Sequence, residues 1–231
     1  MLGTPSGPAA SGRKILITGG PTIEDLDPVR FLGNRSTGRM GLALAGAALR
    51  AGCRARLILG PAPLEPPPGI ETVRVRSAAD MLAAVLGHFA WADALIMAAA
   101  VADYTPSDPS REKLKKGPGD LLLRLKRTED ILSRVGALPE RRGKCLVGFS
   151  LDVGVNLDEG RRKLREKGLD LVVVNSVASF AAGQTSAWLV SAAGECDCGG
   201  LSKDDLAASV VARVLDFLSR PVPRRTPPCQ A

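Results

Sequence analysis

The chain has 231 residues, enough for one domain with extensions at roughly 150 residues per domain, and its 45% hydrophobic and 24% charged residues exclude a disordered polymer. Aromatics are only 3%, so the core must be built from Leu, Val, Ile and Ala, and no apolar run approaches the ~20 residues that cross a bilayer. The net charge of +7 favours a polyanionic partner: nucleic acid, an acidic membrane face or a phosphorylated small molecule.

Residues 1–13 are rich in Gly, Pro and Ser and lack the apolar stretch of a secretory signal, so they read as a flexible N-terminus. Residues 14–20 form a β-branched run ending in glycines, a buried strand. Residues 21–37 read as irregular, and 38–52 as a helix stopped by Gly52. Strands are expected at 56–59 and 71–76, then a helix capped by Ser77, then an apolar strand over 94–101. Continuous rather than alternating strand hydrophobicity, interleaved with helices, predicts an α/β fold, a doubly wound and mostly parallel sheet covered on both faces. Residues 103–118 then turn polar and rich in Lys and Pro, and 121–127 could be a strand on the sheet margin or in an arm. A short helix (129–138), strands at 145–151 and 169–175 around a charged helix (157–167), and a late strand at 187–191 follow. Ser202 and Asp205 open the last helix, which runs to about Ser219. The pattern implies a single domain over 14–219 and a flexible tail over 220–231.

Several chemistries are excluded early. The first strand ends in Gly19-Gly20-Pro21-Thr22, so neither the dinucleotide fingerprint GxGxxG nor the P-loop is present. Tyr104 is the only tyrosine, and Asp108 stands four residues on, which excludes a Tyr/Lys reductase. Five cysteines without a CxxC, and the single His88, argue against a zinc site or a disulfide framework and for the reduced thiols of a cytoplasmic protein. The near absence of aromatics argues against a nucleic-acid stacking platform.

Four segments carry candidate chemistry. Arg30, Asn34, Arg35 and Arg39 gather just before a helix, where Ser36 or Thr37 can cap and Gly38 lets a ligand approach the backbone. That is where a doubly wound sheet holds phosphate. The small residues 98–102 leave room for a flat group at a strand end, with Asp103 presenting a carboxylate beyond them. Lys113 and Lys115 lie in a loop that can close over phosphates. Lys163 and Lys167 share a helix face, but with Glu159 four residues before Lys163 an ordinary salt-bridged surface is the stronger reading of the residues alone.

Five motifs in order, Ile17-Thr-Gly-Gly-Pro-Thr22, Asp27-Pro-Val-Arg-Phe31, Asn34-Arg-Ser-Thr-Gly-Arg-Met-Gly41, Ala99-Ala-Val-Ala-Asp-Tyr104 and Lys113-Leu-Lys-Lys116, resemble the phosphopantothenate–cysteine ligase family of coenzyme A biosynthesis, most closely its bacterial CTP-using type. The resemblance extends from Lys14 to Leu218. It implies a Rossmann-like domain with a protruding dimerisation and active-site arm over about 103–127. It also implies activation of 4'-phosphopantothenate by CTP as an acyl-cytidylate, and displacement of CMP by cysteine. By that resemblance Asn34, Lys113 and Arg30 are catalytic. Nucleotide binding falls to Ala99, Asp103, Lys113, Glu129, Asp130, Ile131, Leu132, Phe149, Lys163 and Lys167. Arg35, Ser36, Gly38 and Arg39 hold phosphate or substrate, and Mg²⁺ accompanies the triphosphate with Asp103 as its ligand. A cytoplasmic homodimer with no nucleic-acid or membrane partner is implied. So is an absence of FMN, because the chain is too short to carry the decarboxylase domain fused to many relatives. Glu129 in place of a common Pro, Phe149-Ser-Leu-Asp152, Asn175-Ser176 and the segment 183–188 depart from the family pattern and leave ATP as an alternative to CTP. A nucleotide-binding protein of other specificity is the competing reading.

Overall fold

The computed structural model describes residues 12–176 and 185–220; residues 1–11 of the end expected to be flexible over 1–13, residues 221–231 of the tail expected over 220–231, and residues 183–184 of the departing segment lie outside the described residues. Eight strands form the main sheet. They are β1 (Lys14–Gly19), β4 (Arg54–Leu59), β5 (Glu71–Arg74), β6 (Ala94–Met97), β9 (Cys145–Asp152), β10 (Leu171–Ser176), β11 (Thr185–Ser191) and β12 (Gly194–Leu201). Their spatial order is β12-β11-β10-β9-β6-β1-β4-β5. The six strands from β5 to β10 run parallel, and β11 and β12 add two antiparallel strands at one edge. Helices α1 (Arg39–Arg50) and α5 (Lys203–Ser219) cover one face. Helices α2 (Ala78–Phe89), α3 (Ile131–Gly136) and α4 (Leu157–Glu166) lie on the other. Both faces are thus buried, as the apolar strands Ile15–Ile17 and Leu95–Ile96 require, each fully inaccessible to water.

Three expectations are corrected. Residues 21–37 are not irregular. They hold a hairpin of β2 (Ile23–Asp25) and β3 (Phe31–Gly33), whose three-residue strands are too short to show a period. The strand expected over 94–101 ends at Met97, because Thr18 Oγ1 and Thr22 Oγ1 accept the Ala99 and Ala102 amides and draw the chain out of the ladder. Strand β12 was not foreseen, since its Gly-Glu-Cys-Asp-Cys run has no β-branched or aromatic residue; an edge strand needs only the ladder to β11. Between β6 and β9 the chain leaves the sheet as a separate ribbon, β7 (Tyr104–Pro106) paired with β8 (Leu125–Arg127).

Helix α1 lies unusually close to β1. A Cβ on Gly41 would stand 2.6 Å from the Gly19 Cα, so only glycine permits this approach. Gly41→Ala should therefore push α1 off the sheet and cost about 1–3 kcal/mol in denaturant unfolding. Gly46→Ala in the same helix is the control: its new Cβ meets only the movable Arg50 guanidinium, and stability should rise by about 0.5–1 kcal/mol. Equal effects of the two variants would show that the close approach is not what holds α1.

Candidate active site

Strand β1 stands at the centre of the order, with the chain turning to β4 on one side and to β6 on the other. Outside the carboxyl ends of these strands lies a cavity of about 1300 Å³. One wall is the stretch Asn34 to Met40, entering α1. The floor is Met97 to Val101, followed by Asp103. The other wall combines residues 127–132 with Phe149, Lys163, Lys167 and Asn175.

The cavity is cationic: Arg35, Arg39, Arg127, Lys163, Lys167 and Lys203 line it against the carboxylates Asp103, Glu129 and Asp130. Two of those acids are already engaged, Glu129 with Arg134 at 3.0 Å and Asp130 with Lys167 at 2.6 Å. Burial pushes the Asp130 carboxyl up, but its bonds with Lys167 and the Ser133 amide hold it below the usual value. Lys163 reaches over β9 to the buried Ser150 hydroxyl at 3.1 Å. Burial lowers its pKa from the ordinary lysine value, against the opposing pull of Glu159. Lys203, the first residue of α5, is likewise lowered by burial and then by the neighbouring Arg39.

The amino end of α1 completes the site. Its N-cap is Gly38, at φ 76°, with no side-chain cap and no acidic residue in the first turn. The expected cap by Ser36 or Thr37 is thus corrected: the left-handed Gly38 turns the chain, and Ser36 Oγ instead accepts the Gly38 amide at 3.3 Å. The first-turn amides, with the positive end of the helix dipole, are left for an anion. Asn34 is fixed above the floor by donating its Nδ2 to the Val101 carbonyl at 2.9 Å. Its Oδ1 accepts no hydrogen bond among the described residues.

Residues 10–218 match the DFP family, described as the DNA/pantothenate metabolism flavoprotein C-terminal domain. The chain belongs to this family. A cysteine/cysteine sulfinic acid decarboxylase of an unknown prokaryotic organism is 39% identical over 214 residues, 90% of this chain and 59% of that protein. The coenzyme A biosynthesis bifunctional protein CoaBC of Bacillus subtilis (strain 168) is 46% identical over 173 residues, 74% of this chain and 42% of the relative. The chain thus spans about half the length of the curated relatives it matches. A crystal structure of the C-terminal domain of a CoaBC protein superposes with a TM-score of 0.78 at 33% identity, covering 92% of this chain and 98% of that one. Family and fold both agree with the resemblance that the five motifs carry.

Within this DFP fold, most residues singled out in the sequence meet in one cavity. Asn34, Arg35, Ser36, Gly38, Arg39, Ala99, Asp103, Glu129, Asp130, Ile131, Leu132, Phe149, Lys163 and Lys167 all line it. The two readings of the charged helix are both realised. Arg161 and Arg162 make the outer salt bridges to Asp158 and Glu159, while Lys163 and Lys167 face the cavity. Arg30 and Lys113 do not line it. Arg30 is clamped to Asp27, with its Nε at 2.9 Å and its guanidinium at 2.5 Å from the carboxylate, and it also donates to the Leu114 carbonyl at 2.6 Å. The Leu114 amide returns a bond to Asp27 at 3.1 Å, so the lysine loop hangs from the β2–β3 hairpin. Arg127 and Lys203 were missed. Lys203 stands in sequence as one member of a helix start, and nothing there signals that α5 aims its first turn at a site built by α1 and β6.

Proposed function

We propose that the chain ligates 4'-phosphopantothenate to cysteine with a nucleoside triphosphate, CTP in the first instance. The carboxylate of phosphopantothenate attacks the α-phosphorus, a P–O bond forms, and pyrophosphate departs. The cysteine amine then attacks the acyl carbon, and CMP leaves as the amide closes. The observation that carries this reading is a cavity joining an uncapped helix amino end, six cations (Lys163, Lys167 and Lys203 partly buried, Arg35, Arg39 and Arg127 exposed) and Asn34, beside a lysine loop suspended outside it. The first step brings two anions together and the second builds negative charge on the acyl oxygen and on departing CMP, and fixed positive groups stabilise both without a histidine. The names of the CoaBC relatives place those proteins in coenzyme A biosynthesis, which supports this reading.

Lys113 is solvent-exposed and lies outside the cavity of its own chain, which supports delivery to the site of a second copy. The arm bearing it also exposes Leu121, Leu122, Leu123 and Leu125, with Leu122 at 92%, an apolar surface suited to a homodimer contact. Asp103 is the cavity carboxylate without a salt bridge among the described residues, and so the protein group that would hold Mg²⁺ on the triphosphate. When bound, that ion would neutralise phosphate charge.

The deciding experiment incubates the protein with 4'-phosphopantothenate, cysteine, Mg²⁺ and either CTP or ATP, and follows pyrophosphate. Release that requires phosphopantothenate supports the ligase, and the faster nucleotide identifies the base. No release with either rejects it.

A pH dependence follows from the partly buried lysines. Lys163 and Lys203 hold their protons less tightly than ordinary lysines, whose pKa is about 10.4. A triphosphate stabilises the charged form, so binding should take up protons, and affinity should fall as pH rises through the lowered values. Calorimetry in two buffers of different ionisation enthalpy should find net proton uptake on CTP binding in mildly alkaline solution. Lys163→Arg should reduce that uptake, because guanidinium stays charged. Zero uptake would remove both lysines from the phosphate site.

A further inference from the structure

The cavity and its arm leave one cluster of reactive groups unused. Cys196 and Cys198 lie two residues apart on β12, the outermost strand of the sheet. Their direction follows from the register. Cys196 pairs with Leu189, whose side chain belongs to the core under α1 and α5, while the preceding Glu195 reaches across the other face to Arg161 on α4 at 2.5 Å. Cys198 packs against the same core as Leu189 and feels the charge of Arg213 on α5. Both thiols therefore occupy the α5 face, Cys196 exposed and Cys198 partly covered. Cys198 Sγ lies 3.9 Å from the Cys196 carbonyl, which brings it back over its partner's backbone.

The backbone here is irregular in a way that matters for bonding. Ser186 pairs with Gly200 and Trp188 with Asp197, so β11 advances two residues while β12 advances three. The extra residue is a bulge at Cys198 and Gly199, with Gly199 at φ +62° and its amide held by Asp197 Oδ1 at 2.8 Å. In a regular strand, residues two apart sit about 6.4–6.8 Å apart, at the outer limit of the roughly 4.4–6.8 Å that a disulfide spans. A bulge bends the strand, and an edge strand has a neighbour on one side only. Both features let the pair approach.

We propose that Cys196 and Cys198 form a redox-active dithiol that a low-molecular-weight disulfide converts into an intramolecular Cys196–Cys198 bond. Cys196, the exposed member, loses its proton and attacks one sulfur of the oxidant R–S–S–R. The Cys196–S–S–R bond forms, and R–S⁻ departs and is protonated. Cys198 then loses its proton and attacks the Cys196 sulfur, which closes the ring and expels the second R–S⁻. Two protein thiols are oxidised and one disulfide is reduced to two R–SH. Burial, then the nearby Cys196 and Asp197, raise the Cys198 thiol, with Arg213 pulling the other way, so Cys198 acts second. Exposure of Cys196 on an edge strand leaves the product open to thiol exchange, a labile bond rather than a structural staple. This inference stands apart from the ligase reading.

The test uses the folded chain with Cys229→Ser, treated with hydroxyethyl disulfide. The Cys196→Ser/Cys198→Ser double variant supplies the blank, since buried Cys53 and Cys145 remain in all samples. Two equivalents of mercaptoethanol above the blank should be released per chain. The tryptic peptide 168–203, which holds both cysteines and no other, should lose two hydrogens and carry no adduct. Adding Cys198→Ser should halve the release and leave one adduct on Cys196. Dithiothreitol should restore both thiols. Separate adducts on Cys196 and Cys198, or no release above the blank, overturn the proposal. So does an adduct on Cys198 that persists while Cys196 is intact. A bond from either thiol to Cys229 in the unsubstituted chain overturns it equally.

Discussion

Lys113→Gln should slow formation of the acyl-cytidylate by about 10² or more, the loss typical of removing one preorganised charge at a developing anion. CTP affinity should change less than the rate, because the cavity's own six cations hold the ground-state triphosphate while Lys113 of a second copy acts where charge develops in the transition state. Single-turnover pyrophosphate release and equilibrium binding, measured on the same variant, separate the two. Delivery across a dimer makes a sharper claim. Mixing inactive Lys113→Gln with inactive Asn34→Asp should restore about a quarter of wild-type activity, since half the dimers are mixed and each mixed dimer holds one intact site. Recovery of nothing would return the lysine to its own chain, and near-normal turnover of Lys113→Gln would reduce the loop to a solvated charge run.

Asp27→Asn should be nearly as damaging although it touches no proposed substrate. The Asp27 residue is 2% exposed, and its carboxylate takes the Arg30 guanidinium and the amides of Val29, Arg30 and Leu114. The Arg30 hydrogen bond holds its carboxyl well below the usual range against the opposing effect of burial, and the three amides add to that. A neutral Asn offers one acceptor oxygen where two now work, so Arg30 and the Leu114 loop lose their common anchor. Displacing a catalytic group by about 1 Å can cost about 10²-fold, so kcat should fall by that order while CTP affinity holds. The melting temperature should drop by several degrees. The pH dependence has a definite sign: a lowered carboxylate contributes stability that is complete above the unfolded value of about 3.9 and is lost as pH falls toward the folded value. The variant should therefore lose less stability than the wild type between pH 5 and strongly acid solution. An unchanged kcat would show that the clamp is structural and does not position Lys113.

The site was legible in sequence to different depths. Asn34 to Arg39 announced themselves, because arginines and small residues crowd the entry to a helix, and a helix amino end is chemically the same in any fold. For Lys163 and Lys167 the residues alone favoured a salt-bridged surface over a site. Salt bridges from Arg161 and Arg162 to Asp158 and Glu159 realise the first reading, and the rotation of α4 against β9 and β10 realises the second. Arg30 was placed by resemblance among the catalytic groups, whereas the structure ties it to Asp27 and the Leu114 backbone, 84 residues away. No local pattern signals a bond of that reach.

Periodicity and small-residue runs were sufficient to dictate a parallel sheet buried on both faces, because backbone hydrogen bonding and apolar burial act over a few residues and leave their period in the chain. Which strands lie beside which, and hence which cations share one cavity, was decided by packing between segments far apart. Lys203 reaches Arg39 only because α1 and α5 cover the same face, and β12 exists only because β11 offers it a ladder. Contacts of that range have no repeat to read, since their energy depends on the assembled surface and not on the order of residues along it.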